Sequence, residues 1–247
     1  MNQMPEDMDM ALQSLKKNRF DACYAETREE ARKIMLEMIP ATASVGVGDS
    51  VTLRQIGILE ELAQRGNSVM NPFIREFVEL MRIDKTRRTR FLETCRKAMH
   101  CDVFITGSNA LTQDGKLVSI DYAGNRVAGM IYGAPRIMIT VGRNKIVKDA
   151  DEAISRIKNV IAPAHAQCKK MQTPCATTGE CSDCQSPHRI CNITVILEKK
   201  PGHADFIVIL IDEDLGLGWH PDWDEKRINK IRSNYYDNTF VSKERTP

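Results

Sequence analysis

Four cysteines, Cys175-x5-Cys181-x2-Cys184-x6-Cys191, fall within one stretch rich in Pro, Gly and Ser. On so short a segment four thiolates can close around one zinc ion or around an iron–sulfur cluster, and the spacing does not separate the two. A redox dithiol at Cys181 and Cys184 is the competing reading. The chain has eight cysteines; Cys168 lies upstream on an expected helix, and Cys23, Cys95 and Cys101 are isolated. The opening MNQMPEDMDM is acidic and lacks an apolar core, so no secretory leader is expected and a cytoplasmic protein is. In a reducing compartment a disulfide framework is not expected, which leaves metal or redox chemistry for the clustered thiols.

A second chemical group lies between Asp102 and Lys145, where two apolar strands, FIT and IMITV, each run into glycine. In an open α/β sheet ligands bind beyond the carboxyl ends of the strands, which is where polar residues gather here. Gly107 and Asn109 follow the first strand. Asn109, Thr112 and Asn125 offer neutral hydrogen bonds, and Asp114 and Asp121 are candidate acid–base groups. Arg126 can clamp a carboxylate or phosphate in two-point fashion, or can pair with Asp121; Lys145 adds a further positive point. Asp-Gly and Gly-Asn are also ordinary turn formers. Upstream, Gly46-Val-Gly48-Asp-Ser50-Val-Thr52 joins a strand to a helix, with glycines for close approach and hydroxyls for an anion. It is neither a P-loop nor a dinucleotide fingerprint, so no nucleotide cofactor is evident.

The elements that must position these groups alternate between helix and strand. Thr27 and Glu30 form a capping box ahead of a helix stopped by Pro40. A helix is expected from Thr52 to Arg65, a mostly helical charged stretch from Asn71 to His100, and short helices at Asn125–Tyr132 and after Asp149. ITVILEKKPGHADFIVILI reads as two strands joined by a Pro-Gly turn, a hairpin. Strands that are apolar throughout indicate an α/β protein with a mostly parallel sheet covered by helices on both faces. The expected organisation is N-terminal helices over 1–40, an α/β domain over 41–220 carrying a small Cys-rich loop insertion at 168–192, and a C-terminal tail over 221–247.

Composition narrows the function classes. The 247 residues carry 35 basic and 33 acidic side chains, a net charge of +2, and only 6% aromatics. That balance gives neither the field nor the stacking surface for nucleic acid. The longest late apolar run, Phe206–Ile211, is far short of the ~20 residues of a membrane span. The oligomeric state is open, and a homo-oligomer is compatible with the sequence.

GVGDSVTL, the run FITGSNALTQDGKLVSIDYAGNRVAGMIYGAPRIMITVGRNKIV, and PCATTGECSDCQSPHRICN together resemble the LUD-domain family of lactate-utilisation proteins, in its Cys-rich branch. The resemblance implies a ribose-5-phosphate isomerase/CoA-transferase-like fold, with the ligand cleft at the glycine loop and the GSNALT segment. The matching positions are Gly46, Gly48, Ser50, Thr52, Gly107, Asn109, Thr112, Gly115, Asp121, Asn125 and Arg126. It further implies a subunit or accessory factor in oxidation of L-lactate or another small hydroxy acid, beside iron–sulfur oxidoreductase partners. Two other functions remain open: an isomerase- or transferase-like enzyme on a sugar phosphate or acyl-CoA, and a non-catalytic, metal-stabilised ligand-binding protein.

Overall fold

The computed structural model describes residues 4–75, 78 and 84–240. The larger of two sheets has six strands: β1 (Asp21–Ala25), β2 (Ser44–Val47), β3 (Ser68–Met70), β4 (Val103–Gly107), β7 (Arg136–Gly142) and β10 (Asp205–Ile211). Their spatial order is β1-β10-β7-β4-β2-β3, and every pairing is parallel. The smaller sheet, β8-β5-β6-β9, is built from β5 (Ala110–Thr112), β6 (Leu117–Asp121), β8 (Ile146–Val147) and β9 (Ile193–Leu197).

Helices cover both faces of the larger sheet, and side-chain alternation decides which residues meet which layer. Val103, Ile105, Met138, Ile207 and Ile209 face α2 (Arg28–Met38), α3 (Val51–Ile56) and α4 (Ile58–Gln64). Phe104, Ile137, Ile139, Phe206 and Val208 face the other way, onto α1 (Glu6–Lys17), the end of α5 (Lys85–Ala98) and α6 (Asn125–Ile131). A third core joins the smaller sheet to α7 (Ala150–Arg156), a π-helical turn at Ile157–Ile161, α8 (Ala162–Cys168) and, through Tyr235, α10 (Glu225–Asp237). The Cys-rich loop carries α9 (Pro174–Thr178).

Two local expectations change, and a third falls partly outside the described residues. The helix expected from Thr52 to Arg65 breaks into α3 and α4 at Gly57, whose left-handed φ of 74° ends one and starts the other. The expected β9–β10 hairpin does not form: β9 pairs antiparallel with β6, while β10 lies between β1 and β7. DFIVILI is buried from Phe206 to Ile211 and suits the middle of a sheet covered on both faces; β9, alternating in exposure, suits an edge. Of the helical stretch expected over Asn71–His100, α5 is observed, and residues 76, 77 and 79–83 lie outside the described residues. Thr27 caps α2 by accepting from the Glu30 amide, as its capping box requires. Residues 1–40 also contribute β1 to the larger sheet, and the tail contributes α10, with Ile231 and Tyr235 buried.

Candidate functional site

Strand order places the site. From β2 the chain moves outward to β3, whereas from β4 it proceeds the opposite way through β7 and β10. The β2–β4 boundary is therefore a point where the order reverses, and a crevice opens beyond the carboxyl ends of such strands. Those ends carry the Asp49–Ser50 turn and the Gly107–Asn109 turn. A cavity of about 620 Å³ lies there and is lined by Ser50, Thr52, Gly107, Asn109, Asp121, Asn125, Arg126 and Lys145. Gly107 lets the two turns meet, because a Cβ on it would fall 2.6 Å from Ser50 Oγ.

On one wall the polar groups are occupied by one another. Arg126 Nη1 donates to the Gly107 carbonyl at 3.1 Å, and Nη2 donates to Asn109 Oδ1 at 2.9 Å and to the Ile120 carbonyl at 2.8 Å. Its Nε faces Asp121 Oδ2 at 3.4 Å, in a pair whose side chains are 12% and 8% exposed. Asp121 also accepts from the Gly124 and Val127 amides, fixing the first turn of α6. Of the two readings open for Arg126 and Asp121, mutual pairing is the observed one. A guanidinium has five N–H donors, and this one has a single donor left for a ligand.

The opposite wall is different. Lys145 ends a 3-10 turn (Arg143–Lys145) after β7, is 5% exposed, and donates from Nζ to Thr52 Oγ1 at 2.9 Å. Among the described residues no carboxylate pairs with it. Burial, with Arg126 adding repulsion, brings its amine down to about 7. Gly216 makes room: with φ of +70°, its missing Cβ would lie 2.9 Å from Lys145 Nζ. Asn144 holds that glycine strip by donating to the Gly218 carbonyl and accepting from the Leu215 amide, each at 2.9 Å.

Several expected site residues lie elsewhere. Gly46 and Gly48 do not line the cavity; their missing Cβ atoms make room for the Ala98 carbonyl of α5 and for Thr106 and Phe104. Thr112 and Asp114 are also outside it, bonded to each other in the β5–β6 turn, where Asp114 meets Lys116 at 2.8 Å. A hairpin carries its turn away from the ends at which it starts and returns, so half of the central motif points from the cavity. Asp114 is therefore no candidate base for a ligand held there.

The far half of the cavity was not foreseen. His165 Nδ1 meets the Tyr235 hydroxyl at 2.6 Å, and Asp49 pairs with Arg54 at 2.7 Å. Burial would raise the Asp49 carboxyl, but Arg54, Lys169 and His165 outweigh it and hold the group below its ordinary value. Only the position of Asp49, next to Ser50, hinted at this half; His165 and Tyr235 are 70 residues apart in sequence.

The four cysteines share one small pocket of about 10 Å³ with Lys158, Asp183 and Arg189. Cys191 also belongs to the wall of the large cavity, so the two spaces adjoin. Burial pushes the Cys191 thiol up, Arg189 opposes this, and the other three thiols add to the rise. Among the described residues no group of three or more His, Cys, Asp or Glu side chains is already arranged to hold a metal ion. The thiols thus converge without coordination geometry. Nor, among the described residues, is any helix long and apolar enough to cross a membrane.

An α/β domain with a parallel main sheet and a partly open cavity at its switch point is the class that fold and site define. The family model of the LUD domain matches residues 8–211, and the chain belongs to that family. Among solved structures, a DUF162 family protein from Deinococcus radiodurans is similar at 11% identity and a TM-score of 0.45, covering 83% of this chain and 96% of that one. No curated protein matches the chain.

Proposed function

We propose that the protein binds a small hydroxy acid of the L-lactate type in the cavity, as a cytosolic subunit or accessory factor in its oxidation. The observation that carries this reading is the joining of Ser50, Thr52, Asn125 and Lys145 in one cavity. There the Lys145 amine, cationic when protonated, the remaining donor of Arg126 and the Ser50 and Thr52 hydroxyls can meet a carboxylate. At the buried Lys145 and Thr52 such charge-assisted bonds are stronger than in solution. Asp121 then acts by holding Arg126 and α6 in position rather than as a base. Calorimetric titration of the full chain with L-lactate, glycolate and acetate tests the reading. Binding of the hydroxy acids above acetate supports it, and absence of heat with all three rejects it.

The cavity volume favours a second reading. A space of about 620 Å³ suits ligands much larger than a three-carbon acid. A sugar phosphate or acyl-CoA would use the far half, where Arg88, His165 and Lys169 lie. The same titration with ribose 5-phosphate and acetyl-CoA separates the readings.

Cys175, Cys181, Cys184 and Cys191, which line one small pocket, would hold a zinc ion or an iron–sulfur cluster. Such a group would stabilise the loop that walls the cavity and, as a cluster, would supply electron exchange with an iron–sulfur partner. Anaerobic purification with iron, sulfide and zinc analysis decides between them.

A further inference from the structure

We infer that Lys145 performs covalent chemistry, its amine forming an imine with the carbonyl carbon of a small 2-oxo acid. The inference rests on the cavity's being a site for a small carboxylate and adds to it a reaction and a nucleophile. Three features of Lys145 converge. The residue is 5% exposed and lines the cavity, so its amine is within reach of a ligand held there. Among the described residues its side chain makes one hydrogen bond, to the Thr52 hydroxyl, and no carboxylate pairs with it, while Arg126 adds positive charge nearby. A buried amine in those surroundings favours its neutral, nucleophilic form.

The third feature is a slot fitted to the side chain. A Cβ at Gly216 would crowd Lys145 Nζ at 2.9 Å and Cε at 3.0 Å, and Asn144 pins the strip on which Gly216 sits. A lysine serving only as structural support would reach a carboxylate or a carbonyl. This one is held, without a carboxylate partner among the described residues, on the turn after a central strand and against the cavity.

The step balances without an oxidant or reductant. The nitrogen lone pair attacks the carbonyl carbon, a C–N bond forms, and the C=O π electrons move to oxygen. The proton gained on that oxygen comes from the nitrogen, and the Thr52 hydroxyl, in hydrogen-bond contact with Nζ, is placed to relay it. The second nitrogen proton and the new hydroxyl then leave together as water, giving C=N. Meanwhile the acid's carboxylate can accept from the Ser50 hydroxyl and from the one donor that Arg126 has left.

The test uses the full chain with pyruvate as probe and cyanoborohydride to trap the imine, read by intact mass and peptide mapping. One adduct is expected, on Lys145, formed at least about ten times faster than on any other lysine and slowing below pH 7, where the amine is protonated. In Lys145→Arg, which keeps a cation but cannot form an imine, that adduct should vanish. Should this variant not fold, Thr52→Val retains the amine and loses the relay, and slower trapping there supports the step. Calorimetry with pyruvate and L-lactate runs in parallel. Pyruvate binding without an adduct at Lys145 overturns the imine and leaves the cavity reading intact. An adduct at Lys145 with no lactate binding upholds the imine and rejects lactate as ligand. Neither binding nor adduct ends both.

Discussion

Arg126 and Lys145 face the same cavity, yet they are opposite kinds of cation. The guanidinium is bonded to Gly107, Asn109, Ile120 and Asp121, each contact holding part of the wall. The ammonium has the Thr52 hydroxyl. A buried charge whose donors are satisfied stabilises the fold and has little left to offer, while one left nearly alone costs stability and keeps its binding capacity. The difference teaches that charge in a pocket is a weak sign of ligand contact until its existing partners are counted.

The largest expected effect falls on the satisfied wall. Asp121→Ala removes the partner of a guanidinium that is 12% exposed and leaves two α6 amides without their acceptor. Urea unfolding should show a loss of about 3–5 kcal/mol. A loss below about 1 kcal/mol, the range of exposed pairs, would show that Arg126 is not held as described.

Lys145→Met should do the reverse: stability equal to or above that of the parent, with hydroxy-acid affinity down about tenfold or more, roughly one charge-assisted bond. The pH dependence sharpens this. The unfolded chain keeps the Lys145 proton up to its ordinary 10.5, whereas the folded chain releases it at about 7. Between these values the folded state binds fewer protons, so this group makes stability rise with pH from about 7 to 10.5; below about 7 the full penalty is present. Chemical denaturation at pH 6.5 and 9.5 should show that contribution in the parent and lose it in Lys145→Met. A parent and variant with the same pH slope would remove the contrast.

Gly216→Ala places a Cβ 2.9 Å from both Lys145 Nζ and Thr52 Oγ1 at a φ of +70°. A left-handed conformation costs a non-glycine residue about 1–2 kcal/mol. Thermal unfolding should report that loss, and calorimetry a larger fractional loss of ligand affinity. Smallest is Asp114→Asn, in a pair with Lys116 whose Asp114 side chain is 54% exposed. It should change stability by less than about 1 kcal/mol and affinity not at all. A clear loss of binding would bring the β5–β6 turn back into the site.

Much of the frame was legible from local signals. The capping box at Thr27–Glu30, the strand–turn–helix at Ser50 and the apolar runs of β4 and β7 depend on contacts within a few residues, or on burial that composition reports directly. The break at Gly57 and the parting of β9 from β10 were not legible, because a glycine within an apolar stripe, or two strands joined by Pro-Gly, fit more than one global arrangement. The central motif illustrates the limit: Asp114 and Asp121 are the same residue type seven positions apart, and hairpin geometry sends one to an outer turn and the other to the cavity wall.

By itself the sequence determined an α/β protein with a mostly parallel sheet, a polar segment after central strands, and four thiols close enough along the chain to share a pocket. Periodicity, composition and short-range spacing are properties of the chain, so they survive without coordinates. Tertiary structure alone decided that Arg126 is spent and Lys145 is not, that Cys191 walls both pockets, and that His165 meets Tyr235. Each of these depends on which distant segments touch and on how far water is excluded, and those are set only when the whole chain packs.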